Sequence, residues 1–202
     1  AIGILRTVGD LGAAALAATD KAQCAKNVKK WDVMEQACAE TADIVSEMGD
    51  GSGISDAMRW DVAYRLATFY SYAGDNDMAI KIYQELLPQY LAGKNYKQLA
   101  VTSADLGTAY AAKDMHREAL ECYEKAAGYI DLEMFPDLNR TIKNNMARSF
   151  YHVGQSGEAI KLYSGLLDDL RNTMQHDFVY MTDSERHEFW QSQDYIFDNI
   201  HG

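Results

Sequence analysis

Proline is nearly absent: 202 residues contain two. With abundant Ala, Leu, Met, Glu and Lys and so few breakers, the chain favours helix. Cysteine is scarce as well, with Cys24, Cys38 and Cys122 far apart in sequence. An odd count without close spacing supplies neither a disulfide framework nor a zinc motif, so the three read as small core residues. Basic residues are few, 19 Lys and Arg against 30 Asp and Glu, for a formal net charge of −11. A chain of that sign is a poor match for nucleic acid or an anionic membrane surface. Long apolar runs are missing too. None approaches the eighteen or so residues needed to span a bilayer.

The most apolar stretch is the opening "AIGILRTVGDLGAAALAAT". As a secretory leader it fails, since Asp10 interrupts it and Arg6 alone is a poor basic region. The chain begins at Ala, which suits a cut or processed product. The expected location is cytoplasmic, with a processed exported protein as the alternative.

What the chain does have is a phrase repeated three times. "YAGDNDMAIKIY" ends at Tyr83, "KDMHREALECY" at Tyr123 and "VGQSGEAIKLY" at Tyr163. Aligned on Ala79, Ala119 and Ala159, further columns agree. Tyr70, Tyr110 and Phe150 lie nine residues earlier, and Ala67, Gly107 and Ala147 lie twelve earlier. Leu66, Leu106 and Met146 precede those small residues, and Leu86, Ala126 and Leu166 follow the shared Ala by seven. A fixed spacing of 40 residues is the mark of a helical repeat array. Each unit reads as two helices. Leu66, Ala67 and Tyr70 share one face of the first, and Ala79, Tyr83 and Leu86 share one face of the second. Gly74 and Gly154 sit where the first helix should stop, and Asp114 takes that place in the middle unit.

These columns resemble the tetratricopeptide repeat over roughly residues 60–170. The spacing of 40 exceeds that family's usual 34, and the proline that often closes a unit appears only as Pro88. The resemblance implies an all-α fold: a right-handed superhelical solenoid of antiparallel helix pairs, about nine helices, with a C-terminal capping helix. Residues 1–58 read as a degenerate N-terminal repeat, with Ile4–Val28 as its first helix. Its second carries Trp31, Met34, Cys38 and Val45 at helical spacing. Residues 60–99, 100–139 and 140–179 are the clear repeats, and 182–200 the cap. "GDGSGISD", Gly49–Asp56, reads as a loop. Thr182 and Glu185 have capping-box spacing, and Phe189, Trp190, Ile196, Phe197 and Ile200 form an apolar stripe after them. "ERHEFW" also resembles the segment that links tetratricopeptide repeats to caspase-like CHAT peptidase domains in bacterial proteins.

Residues for chemistry are not arranged for it. A cysteine peptidase needs a Cys activated by a nearby His in a Gly-rich strand-end setting, and none of the three cysteines has one. His187-Glu188 lacks the second His of a zincin, and the Gly-rich loop lacks the Lys and Ser/Thr of a phosphate loop. No enzyme activity, cofactor or metal is expected. The function expected is protein–protein interaction: a peptide or partner protein held in the concave groove of the array. By the family's columns that groove is lined by Asp61, Tyr64, Thr68 and Tyr72, then Val101, Ala104 and Thr108, then Thr141, Asn144, Arg148 and His152. The Lys/Asn set with which some family members clamp a C-terminal carboxylate is not reproduced. The alternative is a regulatory segment of a larger CHAT-type cysteine peptidase whose catalytic domain lies outside this chain. A homo-oligomeric scaffold is the third reading.

Overall fold

The computed structural model describes residues 2–7, 9–48, 54–131, 134–176 and 182–184. Among these, nine helices and no strand occur: α1 (Ile2–Thr7), α2 (Leu11–Asn27), α3 (Trp31–Glu47), α4 (Asp56–Ala73), α5 (Asn76–Ala92), α6 (Tyr96–Ala111), α7 (His116–Tyr129), α8 (Pro136–His152) and α9 (Ser156–His176). The expected number is met by different elements. Residues 185–200 lie outside the described residues, and the ninth helix comes from the N-terminus. There the single helix expected over Ile4–Val28 is broken. Gly9 takes the left-handed conformation at φ 81°. The Asp10 carboxylate then caps α2 by accepting from the amide of Ala13 at 2.9 Å.

The same end-and-restart chemistry recurs along the chain. Ser55, Asp75 and Asn95 accept from backbone amides three residues on, capping α4, α5 and α6. This satisfies donors that a helix start would otherwise leave orphaned. First helices end alike: Gly74, Asp114 and Gly154 have φ of 87°, 59° and 81°. The residue after each closes the turn by donating to the ring-bearing residue five back: Asp75 to Tyr70, Met115 to Tyr110, Gln155 to Phe150. Glycine carries that conformation without strain, and Asp is among the few side chains that visit it. Pro88 does not close a unit. It lies inside α5, which continues to Ala92.

The repeat columns form the core. Ala79 and Ala119 are wholly buried and Ala159 nearly so; Ala79 packs in one cluster with Tyr83 and Leu106, and Ala119 in the next with Tyr123. Gly107 marks a tight crossing, since a Cβ there would stand 2.7 Å from the Tyr123 ring. Two expectations for the N-terminal unit change. Cys24 is exposed whereas Cys38 and Cys122 are buried, because position 24 falls on the outer side of α2, opposite its run of inward alanines. Trp31 opens α3 and is 48% exposed, leaving Met34, Ala37 and Ile44 to fill that core.

Each helix packs against its neighbours in sequence. Beyond that, α2 meets α4, α4 meets α6, and α6 meets α8. Among the described residues, the partner helices α3, α5, α7 and α9 touch one another less than these do. Helices that touch at every second position stand on the inside of the curve. The inner face of this solenoid is therefore built from α2, α4, α6 and α8.

Candidate functional site

On that inner face, α4 offers Asp61, Tyr64, Arg65 and Thr68 one turn apart. Together with Gln23 of α2 and Phe69 they line a cleft of about 260 Å³. Arg65 pairs one turn back along α4, its Nε donating to the Asp61 carboxylate at 2.9 Å. Tyr64 is half-buried, and its hydroxyl donates to Asp105 Oδ2 of α6 at 2.7 Å. Burial pushes the Asp105 carboxyl up to about 6, and the Tyr64 hydrogen bond opposes that rise. Burial, then the Asp105 charge, raise Tyr64 well above the ordinary phenol range, so it stays a donor. Taking a carboxylate partly out of water while leaving it one strong donor produces both shifts.

A second motif repeats one unit apart. Tyr83 of α5 donates to Thr68 Oγ1 at 3.2 Å, and Tyr123 of α7 donates to Thr108 Oγ1 at 3.4 Å. Each threonine passes its own proton back along its helix, Thr68 to the Tyr64 carbonyl and Thr108 to that of Ala104. Asn145 of α8 adds a donor to Thr108 at 3.3 Å. Burial holds Tyr123 up at about 12. In the third unit Arg148 occupies the threonine column. Its charge lowers Tyr123 and Tyr163 against the effect of burial. The result is a pinned polar lattice across the inner face. Its side chains are held by partners on other helices, which lowers what binding would cost in ordering them.

The sequence columns locate this face unevenly. Asp61, Tyr64 and Thr68 come together in the cleft, with the Tyr64 ring half-buried. Tyr72 is 53% exposed, with the Lys26 ammonium 3.3 Å from its ring centroid, a cation–π contact. Thr108 lies in the lattice, and Thr141 is exposed, donating to the Asp137 carbonyl. His152 is at the turn edge, its ring stacked on His116 with centroids 4.1 Å apart. Asn144 is a correction: it is 1% exposed and belongs to the interior. Ala104, at 4%, is buried as well, and Val101 is half-buried. One residue along a helix is a rotation of about 100°, so Asn145, and not Asn144, looks onto the face with Thr141 and Arg148. Asp105, Arg65 and Asn145 were missed, and the signal for them was the adjoining column 65, 105, 145, polar in all three units.

Reactive chemistry is poorly placed. Burial pushes the thiols of Cys38 and Cys122 up to about 11, the wrong direction for a nucleophile. Among the described residues no three His, Cys, Asp or Glu side chains converge as a metal site. No helix there is long and apolar enough to cross a membrane.

A tetratricopeptide-repeat family model matches residues 61–128, the span that carries α4 to α7. The nearly identical TPR-like repeats of a protein from Podosopora anserina, described as a kinesin light chain, superpose with a TM-score of 0.65 at 14% identity. They cover 99% of this chain and 96% of that one. A point variant of them gives 0.66 at 15% identity, with 91% and 93% covered. The fold is TPR-like. BtubC (BKLC) from P. vanneervenii is a further TPR-like neighbour, with a TM-score of 0.64 at 13% identity over 99% of this chain and 80% of that one. No curated protein sequence matches this chain.

Proposed function

We propose that this TPR-like array is a non-catalytic interaction scaffold that holds an extended segment of a partner protein along its inner face. The lattice running from Tyr64–Asp105 to Thr108–Asn145 is the observation that carries the reading. It fixes polar groups from α4, α6 and α8 in one surface before any ligand arrives. Interfaces gain affinity when the groups that read the ligand are already ordered. An extended segment of roughly eight to ten residues, at about 3.3 Å each, would reach from the α4 cleft to Thr141 and Arg148 on α8. Helix starts at Asp56, Tyr96 and Pro136, paired with starts at Asn76, His116 and Ser156, support a forty-residue unit that sets this spacing.

The test is a displayed peptide library selected on the parent, with the enriched peptides titrated against Arg65→Ala, Arg148→Ala and the pair. Both side chains are on the inner face and outside the apolar core. Selected peptides should lose at least tenfold in affinity on the double variant while its melting curve stays that of the parent. Peptides that bind parent and double variant equally would remove the inner face as the site. The alternative, a regulatory segment of a CHAT-type peptidase, rests on "ERHEFW", which lies outside the described residues, and no observation favours it.

A further inference from the structure

Charge on the inner face is balanced in one unit and left open in the next two. On α4, Asp61 and Arg65 neutralise each other. On α6, Asp105 stands in the Arg65 column, and the position four before it is Val101. On α8, Arg148 stands in the Thr68 column with Asn144 four before it. Asp105 and Arg148 are both half-buried. Among the described residues neither forms an ion pair. Yet they are neighbours, since the Tyr123 phenol feels both: Arg148 lowers it and Asp105 raises it. The register explains why they stay apart. Asp105 and Thr108 lie one turn apart on α6, as Asn145 and Arg148 do on α8, and the repeat columns set Asn145 beside Asp105 and Arg148 beside Thr108. Asn145 donates to Thr108 at 3.3 Å across one diagonal of this square. The two charges occupy the other diagonal. Packed helices stand about 8–10 Å apart and three residues rise about 4.5 Å, so these corners are separated by roughly 10 Å.

We propose that the segment held on the inner face carries two opposite charges, a Lys or Arg over Asp105 and an Asp or Glu over Arg148, two or four residues apart. This rests on the inner face being the binding site, and it adds which segments that site accepts. Alternate side chains of an extended segment point the same way, and at about 3.3 Å per residue they fall about 7 or 13 Å apart. Those two spacings bracket the diagonal, and long basic or acidic side chains take up the difference. A neutral segment closing over the square would strip water from both charges and leave each without a partner, which is costly. A segment with the charges reversed would add repulsion at both corners. The two residues thus select by exclusion as well as by attraction.

The test selects a displayed library of random decapeptides in parallel on the parent, on Asp105→Asn and on Arg148→Gln, with melting curves to confirm that all three fold. Peptides from the parent should carry a basic and an acidic residue at one of the two spacings. Asp105→Asn should erase the basic preference and keep the acidic one, and Arg148→Gln should do the reverse. In a parent-selected peptide, exchanging the basic residue for Gln should weaken binding to the parent about tenfold and leave binding to Asp105→Asn unchanged. Peptides that lose affinity on the Arg65→Ala/Arg148→Ala pair yet show neither charge preference would overturn this inference and leave the inner face as the site. Charge preferences that persist on both single variants would overturn it as well, by placing the charges elsewhere. Peptides indifferent to all of these substitutions would remove the inner face itself, and this inference with it.

Discussion

Tyr64 and Asp105 sit in consecutive units, and the phenol of one donates to the carboxylate of the other across the inner face at 2.7 Å. The bond ties α4 to α6, two helices that otherwise touch only lightly, and it keeps a carboxylate in a place where water is scarce. Two opposing effects act on that carboxylate. Burial dominates, so Asp105 holds its proton up to about pH 6 in the fold, against 3.8 as an ordinary Asp.

The sign of the resulting pH dependence is set by where the proton binds. Between about 3.8 and 6 the folded chain keeps a proton at Asp105 that the unfolded chain gives up. This contribution to stability is therefore full below the lower value and lost as pH rises through the upper. Asp105→Asn retains an acceptor for Tyr64 and removes the charge. It should stabilise the chain at pH 7.5 by on the order of 2 kcal/mol, with the advantage fading toward pH 4. Urea unfolding at both pH values measures it. Equal stability of variant and parent at pH 7.5 would mean that Asp105 is comfortably solvated.

His116 should push in the other direction. Burial lowers its affinity for a proton, and the neighbouring His152 and Arg148 add to this, while Asp114 opposes. The unfolded chain then takes up the proton first, so stability from this residue is present above about pH 6.5 and is lost as pH falls. Proton NMR of the imidazoles checks the direction. In the folded chain His116 should titrate below the free-histidine range, and His152→Gln should move it back up. A His116 that titrates at the free value in the parent would show that the stacked pair is open to water.

Gly107→Ala places a methyl 2.7 Å from the Tyr123 ring. Overpacking at so tight a crossing should cost about 1–3 kcal/mol, more than the roughly 1 kcal/mol that alanine returns as a helix former. Tyr123→Leu in the same chain should recover part of the loss by clearing the ring. Thermal unfolding of the parent and the two variants decides it, and a Gly107→Ala chain that melts above the parent would displace Gly107 from the crossing.

Two glycines with open space around them should respond oppositely to the same change. Gly74 holds φ 87°, whereas Gly165 lies within α9, and neither has an atom within 4 Å of a built Cβ. Gly74→Ala forces a side chain into the left-handed region, at a cost of about 1 kcal/mol. Gly165→Ala removes unfolded-state freedom and should gain up to about 1 kcal/mol. Calorimetry on the pair is sufficient, and a shift of the same sign in both would contradict the turn geometry.

What the sequence by itself determined is the set of features that depend on spacing along one chain. Ala79, Ala119 and Ala159 with their tyrosines mark the helix pairs, because a close crossing needs a small residue and a filling ring at a fixed helical offset. Gly74, Asp114 and Gly154 mark the turns, because only a few residues accept a positive φ. What only the tertiary structure decided is which neighbouring residue faces the groove and which partner a polar group finds. Asn144 and Asn145 are the same residue type in adjacent positions, and a rotation of about 100° sends one to the interior and the other to Thr108. Nothing local to Tyr64 says that its hydroxyl will be claimed by Asp105, 41 residues on. That pairing exists because the curve of the array brings α4 and α6 side by side on the inside, a distance that no single helix encodes.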